Sequence, residues 1–128
     1  MSITIASRKA KARKLQQWVC KKIAEVFNIE FNNQDEQCLI HSREMGQKGV
    51  DVILRGRIYE LFKFDIECKA TETFNCYKDI NQAKQNTKEN REWLLIHKRK
   101  NNKPIVVLDA EAFFNIIKEL KLNLYIKE

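Results

Sequence analysis

Acidic and basic side chains alternate along one stretch of the chain in a pattern that favours hydrolytic chemistry. The strict alternation of Phe62–Lys69 predicts a strand on which Glu67 and Lys69 stand side by side on one face. Asp51, in an earlier apolar strand, can meet them there. Two carboxylates are hard oxygen ligands that suit Mg²⁺ or Mn²⁺, and the backbone carbonyl of Cys68 can supply another oxygen. Such a metal would polarise a phosphodiester and activate water, while the Lys69 ammonium would orient the water and offset negative charge.

The acid-x-Lys pattern alone carries little weight, because it occurs twice, as often as chance predicts at this composition. The second match, Glu119-Leu-Lys121, falls near a helix end, where residues two apart do not face each other. The first match, Glu67-Cys-Lys69, begins 16 residues after Asp51 and lies on the alternating strand. The alternative is a solvated strand face on which Asp65, Glu67 and Lys69 pair with one another.

A helix, capped by Ser7 and reaching about Phe27, is predicted at the start of the chain. Gln16 lies at the edge of its apolar stripe, whereas Gln17 points away from it. Trp18 belongs to that stripe and Trp93 to a later strand, and both fit core positions, which argues against base stacking by either.

The rest of the chain predicts strands and helices in the order α-β-β-β-α-β-β-α, counting the first helix. We expect an α/β (α+β) fold in a single domain over residues 1–128, with one mixed sheet flanked by helices. Asp109 is expected to cap the last helix, whose apolar residues would face the core. The predicted segments are strands Gln37–Ser42, Val50–Leu54, Phe62–Lys69, Trp93–His97 and Ile105–Leu108, a turn at Arg55–Arg57, a helix over Tyr77–Asn90, and a last-helix core face of Phe113, Phe114, Ile116, Ile117 and Leu120.

The positive charge is concentrated at one end of the sequence. The net charge is +7, and residues 1–22 hold seven basic groups and no acid, while the remainder is balanced. This distribution favours a polyanionic partner such as DNA, and a solvated helix face is the alternative. The candidate DNA contacts are Lys9, Lys11, Arg13 and Lys14 in the first helix and Arg43 and Lys48 in the loop before Asp51.

Composition excludes several other classes of protein. With 44% hydrophobic and 32% charged residues the chain reads as globular rather than disordered, and no apolar run is long enough to span a membrane. The four cysteines lack CxxC or zinc-finger spacing, so we expect free thiols in the cytoplasm.

Taken together, these segments resemble the PD-(D/E)XK nuclease superfamily, and within it the Holliday junction resolvase-like endonucleases of archaea and phages. The resemblance covers most of the chain in the same order as in that family. The matching segments are Arg8–Lys11, Leu15–Trp18, Ser42–Asp51, Phe64–Lys69 and Gln82–Lys84.

The resemblance implies a restriction-endonuclease-like αβββαβ core and assigns roles to individual residues. Asp51 and Glu67 would bind the metal, and Lys69 would assist the attacking water. The first-helix Glu of the family is replaced by Gln here, at Gln16 or Gln17, with the edge position favouring Gln16. Gln82 resembles a helix Gln that contacts the site or the DNA, and Ser42 resembles a loop serine near the scissile phosphate.

The expected function is that of a phage-encoded, metal-dependent DNA endonuclease in the host cytoplasm, structure-selective on branched DNA. Symmetric cleavage of a junction needs two active sites, so a homodimer is expected, and no nucleotide cofactor is. Two alternatives stay open: a nicking or restriction-like nuclease acting on linear or single-stranded DNA, and a non-catalytic DNA-binding or regulatory module.

Overall fold

A computed structural model describes residues 4–44 and 47–127 of the chain. Helices and strands alternate along it in the order predicted, with one additional short helix. The elements are α1 (Ile5–Val26), β1 (Ile40–Ser42), β2 (Val52–Leu54), α2 (Gly56–Leu61), β3 (Phe64–Lys69), α3 (Cys76–Asn86), β4 (Glu92–His97), β5 (Ile105–Leu108) and α4 (Ala110–Lys127).

The strands form two sheets rather than the single sheet predicted. β3 pairs with β4 in parallel and β4 pairs with β5 antiparallel, which gives a mixed three-stranded sheet. β1 and β2 form a separate antiparallel pair. A backbone hydrogen bond joins this pair to β3, from the Asp51 N–H to the Ile66 carbonyl at 3.0 Å. The fold is of the α+β class, and its mixed sheet is confirmed.

Helix α1 begins earlier than predicted, because Thr4 rather than Ser7 is its N-cap. The Ser7 N–H donates to the Thr4 hydroxyl at 3.1 Å, which satisfies one of the free donors of the first turn. The apolar stripe packs on the strands as expected. Trp18 is an exception, since it lies at the margin of the stripe and is 40% exposed.

Helix α2 replaces the predicted turn at Arg55–Arg57. Gly56 opens the helix with φ +56, a left-handed conformation that costs a glycine little. Ile58, two residues further on, is fully buried, and its burial holds this segment against the core. Arg-Gly-Arg is typical of a turn, and six residues are too few to show a helical period.

The core lies between α1 and the strands. Strand β3 is buried on both faces, and the burial includes Asp65 and Glu67. The alternative of a solvated strand face is therefore wrong. The core members are Leu15, Val19, Cys20, Ile23, Ala24, Ile40, Val52, Leu54, Ile58, Ile66, Cys68, Leu94 and Ile96.

Helix α4 is capped as predicted but does not contribute the predicted core face. Asp109 Oδ2 accepts from the N–H groups of Glu111 at 2.9 Å and Ala112 at 3.2 Å. Among the side chains described in this helix, Ala112 alone is buried, and most of the large apolar side chains face solvent. The core is closed by α1 and the strands, so the described chain offers α4 no second surface to cover its apolar side.

Candidate active site

Asp51 is fixed against β3 by both its backbone and its side chain. Its N–H donates to the Ile66 carbonyl at 3.0 Å, and its Oδ2 accepts from the Cys68 N–H at 2.7 Å. Its own carbonyl accepts from the Arg43 N–H at 2.8 Å, which closes the loop in front of β2. The carboxylate is thus held at the edge of β3, as the sequence predicts.

Glu67 and Lys69 meet on the face of β3 that α3 covers. Glu67 Oε1 lies 3.9 Å from Lys69 Nζ, and Glu67 Oε2 accepts from Asn86 Nδ2 at 3.3 Å. The Glu67 side chain is 5% exposed and that of Lys69 is 24% exposed. The carboxylate is therefore enclosed, whereas the ammonium remains accessible to a ligand.

Burial disfavours the ionised form of both carboxylates and so raises their pKa values. It raises the pKa of Glu67 to about 7, with repulsion from Asp51 and a smaller effect of Asp79 in the same direction, against the opposing influence of Asn86 and Lys69. Burial also raises the pKa of Asp51, although the Cys68 N–H and the charges of Lys69 and Arg43 counteract it. Two acids that repel each other in a dehydrated site favour a bound cation.

The oxygen atoms around this pair suit a hard divalent cation. The Ile66 carbonyl and the Cys68 N–H both point toward Asp51, and alternate residues of a strand direct their backbone groups to the same side. The Cys68 carbonyl therefore lies along that edge, as predicted. Gln16 in α1 is buried, and its Oε1 has no hydrogen-bond partner. An unsatisfied buried carbonyl oxygen is costly unless a cation or a water satisfies it.

Two carboxylates with neutral oxygens are the kind of donor that Mg²⁺ and Mn²⁺ prefer. Across residues 4–44 and 47–127, no group of three or more His, Cys, Asp or Glu side chains is arranged to hold a metal ion. Gln17 is half-buried, in contrast to the fully buried Gln16.

Helix α3 contributes residues that the sequence reasoning missed. Asn86 binds Glu67 directly, and Asp79 raises the pKa of Glu67 through its charge. The predicted residue, Gln82, is exposed and lies between these two on the same stripe of the helix. Asp79, Gln82 and Asn86 are spaced three and four residues apart, and this spacing was the sequence pattern that could have placed Asp79 and Asn86 on the same side of the helix as Gln82.

Asp65 has a structural role on the same face of β3. It pairs with Arg91, with Oδ1 2.7 Å from Nε, and it also accepts from the Lys88 N–H at 2.9 Å. Arg91 further donates to the carbonyls of Tyr59, Phe62 and Phe64. This fully bonded pair ties the β3–β4 sheet to α2 and leaves the chemistry to Glu67.

Two stripes of α1 carry the predicted DNA contacts of the helix. Lys9 and Arg13 are exposed and continue the stripe of Gln16, at spacings of four and three residues. Lys11 and Lys14 lie on another stripe with Trp18, where Lys14 is exposed and Lys11 is half-buried.

Of the predicted DNA contacts in the loop, Ser42 and Arg43 make hydrogen bonds within the protein, and Lys48 is exposed. The Ser42 N–H donates to Asn33 Oδ1 at 3.0 Å, and the Arg43 guanidinium donates to the Val50 carbonyl. Arg43 thereby shapes the loop next to Asp51, whereas Lys48 is exposed. Met45 and Gly46 of this loop lie outside the described residues.

Two recesses lie near the elements that carry Asp51, Glu67 and Lys69. A small one of about 120 Å³ lies between the loop and the end of α3, and its lining includes Arg43, Asn86 and Lys88. A larger cleft of about 300 Å³ lies between α1 and the turn that joins β4 to β5. The lining of the small recess also includes Asp65, whereas Asp51 and Glu67 are not part of it.

Comparison of the chain with protein-family models, with curated proteins and with solved structures finds no match.

Proposed function

We propose that this protein is a metal-dependent DNA endonuclease that hydrolyses phosphodiester bonds, with branched DNA as its preferred substrate. One observation carries the proposal: Asp51, Glu67 and Lys69 converge from two strands, with the two carboxylates drawn out of solvent and the lysine accessible. The resemblance to PD-(D/E)XK nucleases supports the same reading. We place the enzyme in the cytoplasm, where its four cysteines, all free in the structure, would stay reduced.

The residues of the site divide the chemistry between them. Asp51, Glu67, the Cys68 carbonyl and Gln16 would hold the metal, and Asn86 keeps Glu67 oriented toward it. When bound, Mg²⁺ or Mn²⁺ supplies a Lewis acid for the phosphate and lowers the pKa of a water nucleophile. Lys69 Nζ donates hydrogen bonds to the attacking water and to a non-bridging phosphate oxygen, which offsets the charge that develops there.

The basic surface of the protein favours recognition of DNA shape over DNA sequence. Helix α1 is 22 residues long, or about 33 Å, and presents its cations on an exposed surface beyond the core. Lysine and arginine on such a surface contact phosphates, which position a protein on DNA without reading bases. A nuclease that relies on these contacts selects its substrate by the path of the backbone, and a junction offers a path that linear DNA lacks.

The test is cleavage of a labelled four-way junction, a linear duplex and a single strand, each with Mg²⁺ or with EDTA. We expect cutting that requires the metal, favours the junction, and is lost in Asp51→Asn and Lys69→Ala. Asn retains an oxygen that accepts from the Cys68 N–H, so the first variant removes charge while keeping the strand contact. Glu119→Gln is the matched control, since it alters the other acid-x-Lys pair, which lies on exposed α4.

Each outcome assigns the chemistry differently. Equal cutting of linear and branched DNA would support the nuclease activity and reject the preference for junctions. The protein would then be a nicking or restriction-like nuclease. Unchanged cutting in both site variants would reject the proposed catalytic residues. Binding of DNA without cutting in Mg²⁺ or Mn²⁺ would replace the enzyme with a DNA-binding module.

We further propose that two copies of the chain associate through α4 and β5. Phe114 on α4 is 67% exposed and Val106 on the edge strand β5 is 54% exposed, and Ile105, Phe113, Ile117 and Leu120 are further exposed apolar side chains of these two elements. A two-fold pair covers such a patch on both copies at once and supplies the two active sites that symmetric cleavage needs.

Sedimentation should show a dimer that Phe114→Glu with Ile117→Glu converts to a monomer. Leu61→Glu, on exposed α2, is the control, and a monomeric wild type rejects the interface.

A further inference from the structure

The larger cleft has a composition that the proposed catalytic residues do not explain. It is formed by one stripe of α1, by the residues that follow β3, and by the turn between β4 and β5. Its volume is about 300 Å³, which is at the lower end of the range for small-molecule sites. The lining residues are Lys11, Lys14, Leu15, Trp18, Ala70, Glu72, Lys98, Lys100, Asn101 and Pro104.

An exposed indole forms part of the cleft wall. Trp18 is 40% exposed, although its side chain is large and apolar and the core lies directly beneath the neighbouring Val19. Leu15 and Pro104 continue the apolar wall beside it. Lys22 Nζ lies 5.6 Å from the centre of the Trp18 ring and adds a positive charge one turn further along. A flat aromatic ring at an open cleft is the surface on which a nucleic-acid base stacks.

The rim of the cleft is strongly basic. Four lysines line it, two from α1 and two from the β4–β5 turn, so that positive charge lies on both walls of the cleft. Glu72 is the acidic residue of the lining, and it pairs with Arg99 at 3.8 Å. The cleft therefore combines an apolar stacking surface with cations on opposite walls, which is complementary to a base attached to its phosphates.

We propose that this cleft binds one unpaired nucleotide of a DNA strand, with the base on Trp18 and the flanking phosphates on the lysines. The proposal rests on the proposed nuclease function and adds the part of the substrate that the cleft takes. Ala70, in the cleft, directly follows Lys69, so the cleft adjoins the end of the strand that carries the proposed catalytic lysine. Unpaired nucleotides occur at junctions, gaps and ends, which gives the enzyme a physical basis for preferring such DNA.

Tryptophan fluorescence tests this binding directly and without cleavage. In a Trp93→Phe background Trp18 is the single tryptophan, and EDTA prevents hydrolysis. We expect a short oligothymidine strand to quench Trp18, and a blunt duplex of the same length to leave its fluorescence unchanged. Measured by the fluorescence anisotropy of a labelled strand, Trp18→Ala should weaken binding about tenfold, in keeping with base–aromatic stacking, while Trp18→Phe should restore most of it.

Lysine variants test the second half of the proposal. Lys98→Gln with Lys100→Gln should lower the salt dependence of single-strand binding, by about 0.7 in slope for each lost phosphate contact. Arg57→Gln with Lys63→Gln is the matched control, because it removes the same charge from exposed positions outside the cleft and outside the predicted DNA contacts, and it should leave quenching of Trp18 intact.

The outcomes separate this inference from the proposed function. Strand binding that depends on Trp18 in a protein that never cuts DNA supports the cleft and rejects the nuclease. Cutting that persists while Trp18→Ala binds the strand like wild type overturns the cleft alone. Equal quenching by strand and duplex, or quenching by an acidic peptide at equal affinity, also overturns it.

Discussion

Replacement of Glu67 should separate the stability of this protein from its activity. The pKa of its carboxyl is about 7 in the folded protein, whereas its ordinary value is 4.5. Between these pH values the folded protein holds a proton that the unfolded chain has released, so a rise in pH favours unfolding. We predict that the metal-free protein loses stability as the pH rises from about 4.5 to about 7, and that Glu67→Gln removes the part of this loss that Glu67 contributes and leaves the part that comes from the raised pKa of Asp51.

The size of the effect follows from the same two values. Each pH unit between 4.5 and about 7 costs about 1.4 kcal/mol, so the full loss is about 3 kcal/mol. The glutamine gives up little, because its side-chain oxygen can still accept from Asn86. The lost ion pair is long, at 3.9 Å, and Lys69 is hydrated enough to stand without it. Above about pH 7 the variant should therefore be about 3 kcal/mol more stable than wild type, and inactive.

Urea denaturation in EDTA at about pH 5 and about pH 8 measures this difference. The stability advantage of Glu67→Gln should grow with pH, and Glu119→Gln, an exposed change of the same chemistry, should show no such growth. Addition of Mg²⁺ at the higher pH should stabilise wild type and leave Glu67→Gln unchanged, because the ion binds the folded site alone. A variant less stable than wild type at about pH 8, or a wild type with flat pH dependence, would refute the reasoning.

Three further predictions concern the surroundings of the site. Arg91→Ala strands the Asp65 carboxylate in the core and should cost about 3–5 kcal/mol in urea denaturation, where a loss under about 1 kcal/mol would show that the pair is dispensable. Gly49→Ala should destabilise the fold by about 1–2 kcal/mol and slow cleavage, because Gly49 has φ +112 and a Cβ there would lie 3.0 Å from the Arg43 guanidinium. Unchanged cleavage kinetics in this variant would show that the conformation of the loop does not affect the site. Asp109→Ala should cost about 1 kcal/mol through loss of the α4 cap, with Asp109→Asn close to wild type in thermal melts.

The sequence predicts that Glu67 and Lys69 stand side by side because strand geometry is periodic and local, whereas the approach of Asp51 depends on how its segment packs on β3. Two residues apart on a strand means the same face, whatever surrounds the strand. It did not foretell Asn86, which reaches Glu67 from a helix 19 residues further along, because nothing local specifies how that helix packs on β3. The Asp65–Arg91 pair was missed for the same reason, since alternating charges on a strand are typical of a solvated face.

Apolar residues were harder to interpret than charged ones. Helical spacing shows that side chains share a stripe, but it does not show which stripe meets the core, and this explains Trp18. The same limitation applies to α4, where a regular apolar face was assigned to the core and is exposed instead. Helix α2 was missed because burial of Ile58 overrides the turn preference of the residues before it.

The attachment of the β1–β2 ladder to β3 constrains how this protein can change over evolutionary time. Asp51 joins the two sheets through its N–H and Oδ2, and the same carboxylate is the proposed metal ligand. A descendant that lost the proposed metal site would thus still be selected to keep an oxygen-bearing side chain here, and asparagine is the smallest change that preserves this connection. Persistence of Asp or Asn at this position therefore reports on the architecture, whereas the identity of residues 67 and 69 reports on the chemistry.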